Sequence, residues 1–87
     1  MGVEAREEVI LLFMEGYDLF LPGFVVHYHI DDRYPGVSWE PETTKRRLDA
    51  MAGDGRVEKI DDGRGMYRIT DAGVDWLIER GTISPND

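Results

Sequence analysis

Two short runs of β-branched and aromatic residues, 56–60 and 66–69, flank the glycine-bounded loop Asp61-Asp-Gly-Arg-Gly65. That pattern predicts a β-hairpin, because glycines supply the left-handed backbone that a tight reversal needs. Directly before it lies Glu40-Pro-Glu-Thr-Thr-Lys-Arg-Arg-Leu-Asp-Ala-Met-Ala-Gly53, in which Thr44, Leu48 and Met51 fall on one side of a helix. Pro41 suits the first helical position, where a missing N–H loses nothing, and Gly53 or Gly55 stops the helix. Glu40 is a weak cap, so Ser38 or Thr43 is expected to help satisfy the open N–H groups. A helix running straight into a hairpin leaves few architectures to a chain of 87 residues, which one core must hold together.

Charge separates this segment from the rest. The chain carries a net charge of −8, yet residues 45–70 are net +2, against −7 for residues 1–44 and −3 for residues 71–87. A uniformly solvated surface does not predict that coincidence. Among the basic residues eight are Arg and only Lys45 and Lys59 are Lys, and there is no cysteine. An acid-rich, lysine-poor surface points to a halophilic protein whose self-repulsion is relieved by salt, the alternative being an ordinary acidic bacterial or archaeal domain. The absence of cysteine excludes disulfides and thiolate metal sites. No apolar run approaches the roughly 20 residues that span a bilayer, and no signal-peptide pattern opens the chain. A cytoplasmic protein without a membrane partner is expected.

Three further helices are expected. Residues 3–15 place Ala5, Val9, Leu12 and Phe13 on one face, which leaves Ile10, Leu11 and Met14 off it. A helix apolar nearly all round is buried on more than one side, either under Tyr17, Leu19 and Phe20 or under a second copy of the chain. Ile10, Leu11 and Met14 are therefore candidates for a homodimer interface, joined by Trp76 if its ring is exposed. A second helix over about 22–30 would bury Phe24, Val25, Tyr28 and Ile30, and the Asp-, Pro- and Gly-rich stretch 31–38 reads as a turn. Thr70-Asp71 caps a last helix over about 71–80, with Val74, Leu77 and Ile78 inward and Gly81 at its end. The domain is expected to span 1–81, with 82–87 a flexible tail.

A helix in a DNA major groove reads base edges with side chains on its outer face. With Leu48 and Met51 holding this helix from beneath, Thr43, Lys45, Arg46 and Arg47 remain on open or flanking positions. Arg pairs in bidentate fashion with guanine, and Thr donates to base edges or phosphate. In the hairpin, Lys59, Arg64 and Arg68 suit phosphates or a minor groove. A salt-bridged surface helix is the alternative. His27 and His29 sit two apart, which on a helix sends them to opposite sides, so no metal site is expected. The pairs Asp31-Asp32 and Asp61-Asp62 are adjacent rather than convergent, and no nucleophile has a base and orienter. No catalytic residue, cofactor or obligatory small molecule is expected.

The residues Thr43-Thr-Lys-Arg-Arg-Leu48, Met51-Ala-Gly-Asp-Gly-Arg-Val57 and Asp62-Gly-Arg-Gly-Met-Tyr-Arg-Ile-Thr-Asp-Ala-Gly73 together resemble a winged helix-turn-helix. They are similar to small haloarchaeal DNA-binding proteins related to the halophage phi-H repressor, over about residues 5–80. The resemblance implies an α+β winged-helix fold of three helices, a two-stranded hairpin wing and a C-terminal helix. It also implies a transcriptional regulator, a repressor, that binds double-stranded DNA as a homodimer. Thr43, Arg46 and Arg47 would lie on the recognition helix and Arg64 on the wing. Glu40 and Glu42 depart from the family pattern, since carboxylates facing phosphates weaken binding. A winged helix used for protein–protein interaction, without DNA, is the other reading.

Overall fold

The computed structural model describes residues 2–60 and 65–85. Its elements run α1 (Val3–Glu15), β1 (Leu21–Pro22), α2 (Gly23–Arg33), α3 (Pro41–Gly53), β2 (Val57–Ile60), β3 (Met66–Ile69) and α4 (Asp71–Glu79). The result is a small α+β domain in which four helices pack with a three-stranded antiparallel sheet, compatible with the winged-helix expectation. The expected two-stranded hairpin gains an edge. Leu21 lies opposite Tyr67 and Pro22 opposite Met66, so the sheet order is β1-β3-β2 with β3 in the centre. Proline is tolerated in β1 because an edge strand need not donate on its open side. The hairpin register runs from Val57 opposite Ile69 to Ile60 opposite Met66.

The inward face of α1 is not the expected one. Glu7, Ile10, Leu11 and Met14 point into the core at i, i+3, i+4 and i+7, while of the expected face Phe13 is buried and Ala5, Val9 and Leu12 are only half-buried. Ile10, Leu11 and Met14 are thus buried within a single copy of the chain, at 0–1 % exposure. They are not available to a second copy, and the apolar excess that motivated a dimer interface there is taken up by the chain's own core. Trp76 is half-buried, with the Arg56 and Arg80 guanidiniums 4.8 and 4.7 Å from its ring centre, so it is not an open apolar surface either.

A similar rotation affects α2. Gly23, Val26, His27 and Ile30 face inward, whereas Phe24 and Tyr28 are exposed. Periodicity alone allowed both faces, and aromatic bulk favoured the wrong one. α3 is as expected, with Thr44, Leu48 and Met51 buried. In α4, Leu77 is buried and Val74 and Ile78 are half-buried.

The start of α4 packs unusually tightly. The Thr70 side chain caps the helix by accepting from the Gly73 N–H at 3.2 Å, and the Thr70 N–H donates to the Arg56 carbonyl at 3.1 Å. That carbonyl lies against Gly73 itself. A Cβ on Gly73 would lie 2.8 Å from Ile69 Cγ1 and closer still to the Arg56 oxygen. At the other end, the segment expected to be a loose tail is partly tied. The Thr82 N–H donates to the Leu77 carbonyl at 3.0 Å, the Thr82 hydroxyl donates to Glu8, and Ile83 packs on the core. Arg80 bridges to Glu4 and Glu8 of α1, each at 3.2 Å, so α4 and α1 are strapped together.

No helix among the described residues is long and apolar enough to cross a membrane.

Candidate nucleic-acid interface

Three polar anchors set the position of α3. The first is a buried hydroxyl. Thr44 Oγ1 accepts from the Trp39 indole N–H at 2.8 Å and lies 2.8 Å from His27 Nδ1. An indole can only donate, so the Thr44 proton remains available to the imidazole nitrogen. This one group ties α3 to α2 and to the connection between them, and it gives His27 a structural role. His29 lies elsewhere, stacked on Phe13 with ring centres 5.6 Å apart. Among the described residues no group of three or more His, Asp or Glu side chains is arranged to hold a metal ion.

The second anchor is Glu7, whose residue is only 5 % exposed. Its carboxylate receives Arg47 at 3.4 Å and Arg56 at 3.1 Å. Arg56 also forks onto Asp54, with contacts down to 2.6 Å. A carboxylate removed from water is tolerable only with such partners, so α1 fixes both α3 and the turn that follows it. Sequence reading missed the role of Arg56. The one local signal was Asp54 two residues earlier, which hydrogen-bonds its backbone N–H as well as its guanidinium.

The third anchor joins α3 to the hairpin. Asp49 accepts the Tyr67 hydroxyl of β3 at 2.6 Å and the Lys59 ammonium of β2 at 3.0 Å. Partial burial opposes its charge. The Tyr67 hydrogen bond, then the Lys59 hydrogen bond and the charges of Lys59 and Lys45, outweigh that and hold the carboxyl below its ordinary range. Glu8 is lowered chiefly by its Thr82 hydrogen bond, and Asp54 chiefly by that from Arg56.

These shifts carry an expectation about acid. A carboxyl lowered in the folded state contributes stability that is complete above its unfolded value and lost as pH falls through the folded one. The ordinary values are 4.5 for Glu8 and 3.8 for Asp49 and Asp54. Denaturation midpoints at constant salt should therefore be flat above about pH 5.5 and fall steadily below it. Asp49→Asn should flatten part of that fall. A midpoint that stays level to pH 3 would show that the three pairs contribute nothing.

Of the side chains chosen as DNA contacts, the outer face of α3 presents Lys45 and Arg46, both exposed. Neither forms an ion pair among the described residues; Lys45 feels only the more distant charge of Asp49. Thr43 is half-buried beside them. Arg47 is turned inward onto Glu7, and Lys59 is held by Asp49. Arg68 pairs with Glu58 across the strands at 3.1 Å and lies 4.5 Å from the centre of the Phe20 ring. Arg64 lies outside the described residues. The structure thus brings Lys45 and Arg46 together on one open surface and engages three of the other cations internally. Glu42 and Asp49 share that surface, and Lys59 meets Asp49, so its net positive charge is small.

No known protein family, curated protein or solved structure matches this chain.

Proposed function

We propose that the domain is a winged helix that binds double-stranded DNA through the outer face of α3 and acts as a transcriptional regulator, in the manner of a repressor. The observation that carries this reading is the contrast between the two sides of α3. Its inner side is pinned by Thr44, Arg47, Leu48 and Met51, while Lys45 and Arg46 stand exposed and form no ion pair among the described residues. A helix with two adjacent exposed cations, tied to a hairpin by Asp49, suits groove readout. The small surface charge argues against bulk attraction, so recognition rests on fit and a few contacts. A second reading, a protein-interaction module, is favoured by the exposed aromatics Phe24 and Tyr28, at 62 % and 63 %. A homodimer remains part of the proposal only through DNA, as two copies on adjacent half-sites.

Selection of duplexes from a random pool, in salt high enough to keep the protein folded, supplies the ligand. Arg46→Ala should weaken the selected duplex by about five- to 150-fold, the range of one base-reading arginine. Lys45→Ala should act more uniformly across sequences and lower the slope of log affinity against log salt by about one. If no duplex is enriched, or both variants bind as the parent does, the reading is wrong.

A further inference from the structure

The exposed aromatics are not scattered. Phe24 and Tyr28 lie four residues apart on one face of α2, and Asp31 continues that face three residues further on. Beside Phe24 opens a groove of about 450 Å³, lined by Phe24, Glu40, Pro41, Glu42 and Lys45. A phenyl ring, a proline ring and the lysine stem give it apolar lining, and two carboxylates give it acidic lining. Glu40 and Glu42 are exposed and neither forms an ion pair among the described residues, and the Glu40 side chain does not cap its helix. Two bulky rings at more than 60 % exposure one turn apart, the first of them lining a groove, are an expensive surface to leave in water, whereas isolated exposed apolar residues are ordinary.

We infer that this groove, between the starts of α2 and α3, is a docking site for a protein segment that carries a bulky apolar side chain flanked by basic residues. The apolar side chain fills the space over Phe24 and Pro41, and the flanking cations meet Glu40 and Glu42. A second copy of the chain fits poorly. Its net charge of −8 repels its like, and Arg47, Arg56, Arg68 and Arg80 are each engaged in ion pairs. Nucleic acid fits poorly as well, because the two carboxylates would face phosphate with Lys45 alone to offset them. The site goes beyond the DNA-binding reading, and it shares Glu42 and Lys45 with that surface but not Arg46.

The test uses the full chain at the lowest salt at which it is folded. Two blocked peptides are titrated while amide chemical shifts are followed: Lys-Arg-Leu-Trp-Lys-Arg as probe, and Lys-Arg-Ser-Ser-Lys-Arg as a basic control without the anchor. Saturable shifts centred on residues 24, 28, 40, 42 and 45, given by the probe and not by the control, are expected. Phe24→Ser, at a solvent-facing position, and the double variant Glu40→Gln, Glu42→Gln should each weaken the probe about fivefold or more. Arg46→Ala should leave probe binding unchanged while it impairs DNA, so the two readings fail separately. The proposal is overturned by equal binding of the control or by probe binding that survives Phe24→Ser. It is equally overturned by shifts at the groove that depend on protein concentration alone, which would mark self-association, or by a DNA duplex that maps to the groove and binds tighter in the Gln variant.

Discussion

Gly73→Ala should lower the thermal midpoint by about 12 °C or more, corresponding to about 3 kcal/mol in a domain of this size. The clash is with backbone. The Arg56 carbonyl accepts the Thr70 N–H and cannot swing away without breaking the bond that seats the first turn of α4. Ile69 closes the other side, at 2.8 Å from the would-be methyl. Alanine is the better helix former by about 1 kcal/mol, but that gain is smaller than the strain of separating α4 from the turn at residue 56. Gly53→Ala is the matched control, since a methyl there meets nothing within 4 Å and residue 53 closes α3. Thermal melts of both variants at the same salt decide the matter. A Gly73→Ala midpoint within about 2 °C of the parent would show that the packing is looser than described.

The next largest effect is expected from Thr44→Val, a loss of about 2–4 kcal/mol by denaturant unfolding. Valine keeps the shape and removes the one oxygen that serves both Trp39 and His27. Two buried polar groups then lose their partner together, and each unsatisfied group costs about 1–3 kcal/mol. Thr44→Ser separates hydroxyl from methyl. It should cost only about 1 kcal/mol, the worth of a buried methyl group. If valine is as stable as the parent while serine is not, the hydroxyl contributes nothing and Thr44 is merely a space-filling residue.

The sequence was legible where one side chain type marked one environment. α3 has a clean division between Thr44, Leu48 and Met51 inside and charged residues outside, and the hairpin was announced by its glycines. α1 and α2 were located, and Phe13 and Ile30 are buried as expected, but the rest of each inward face was misplaced, for the same reason in both. Each carries a polar residue on its inner face, Glu7 in one and His27 in the other, whose partner lies on an element far along the chain. Glu7 finds Arg47 and Arg56 some 40 and 49 residues away, and nothing local signals that pairing. Without that pairing Glu7 has no reason to lie inside, and the stripe of Ile10, Leu11 and Met14 is left for Tyr17, Leu19 and Phe20 or a second copy to cover. β1 escaped notice because two residues, one a proline, show no alternation, and only pairing with β3 makes them a strand. In the candidate site the cation types were visible but their engagement was not. Arg47, Lys59 and Arg68 look equivalent to Arg46 in sequence, and only folding shows which carboxylate each one meets.

The two-sidedness of α3 also bears on how this domain can change over time. Everything that keeps the helix in place comes from positions 44, 47, 48 and 51 and from Asp49, while residues 42, 45, 46 and 50 are exposed and form no ion pair among the described residues. Under the proposed DNA-binding reading, substitutions there alter what the domain recognises with little penalty in folding. A lineage, or a library randomised at those four positions, can therefore explore new targets without first acquiring compensating mutations in the core.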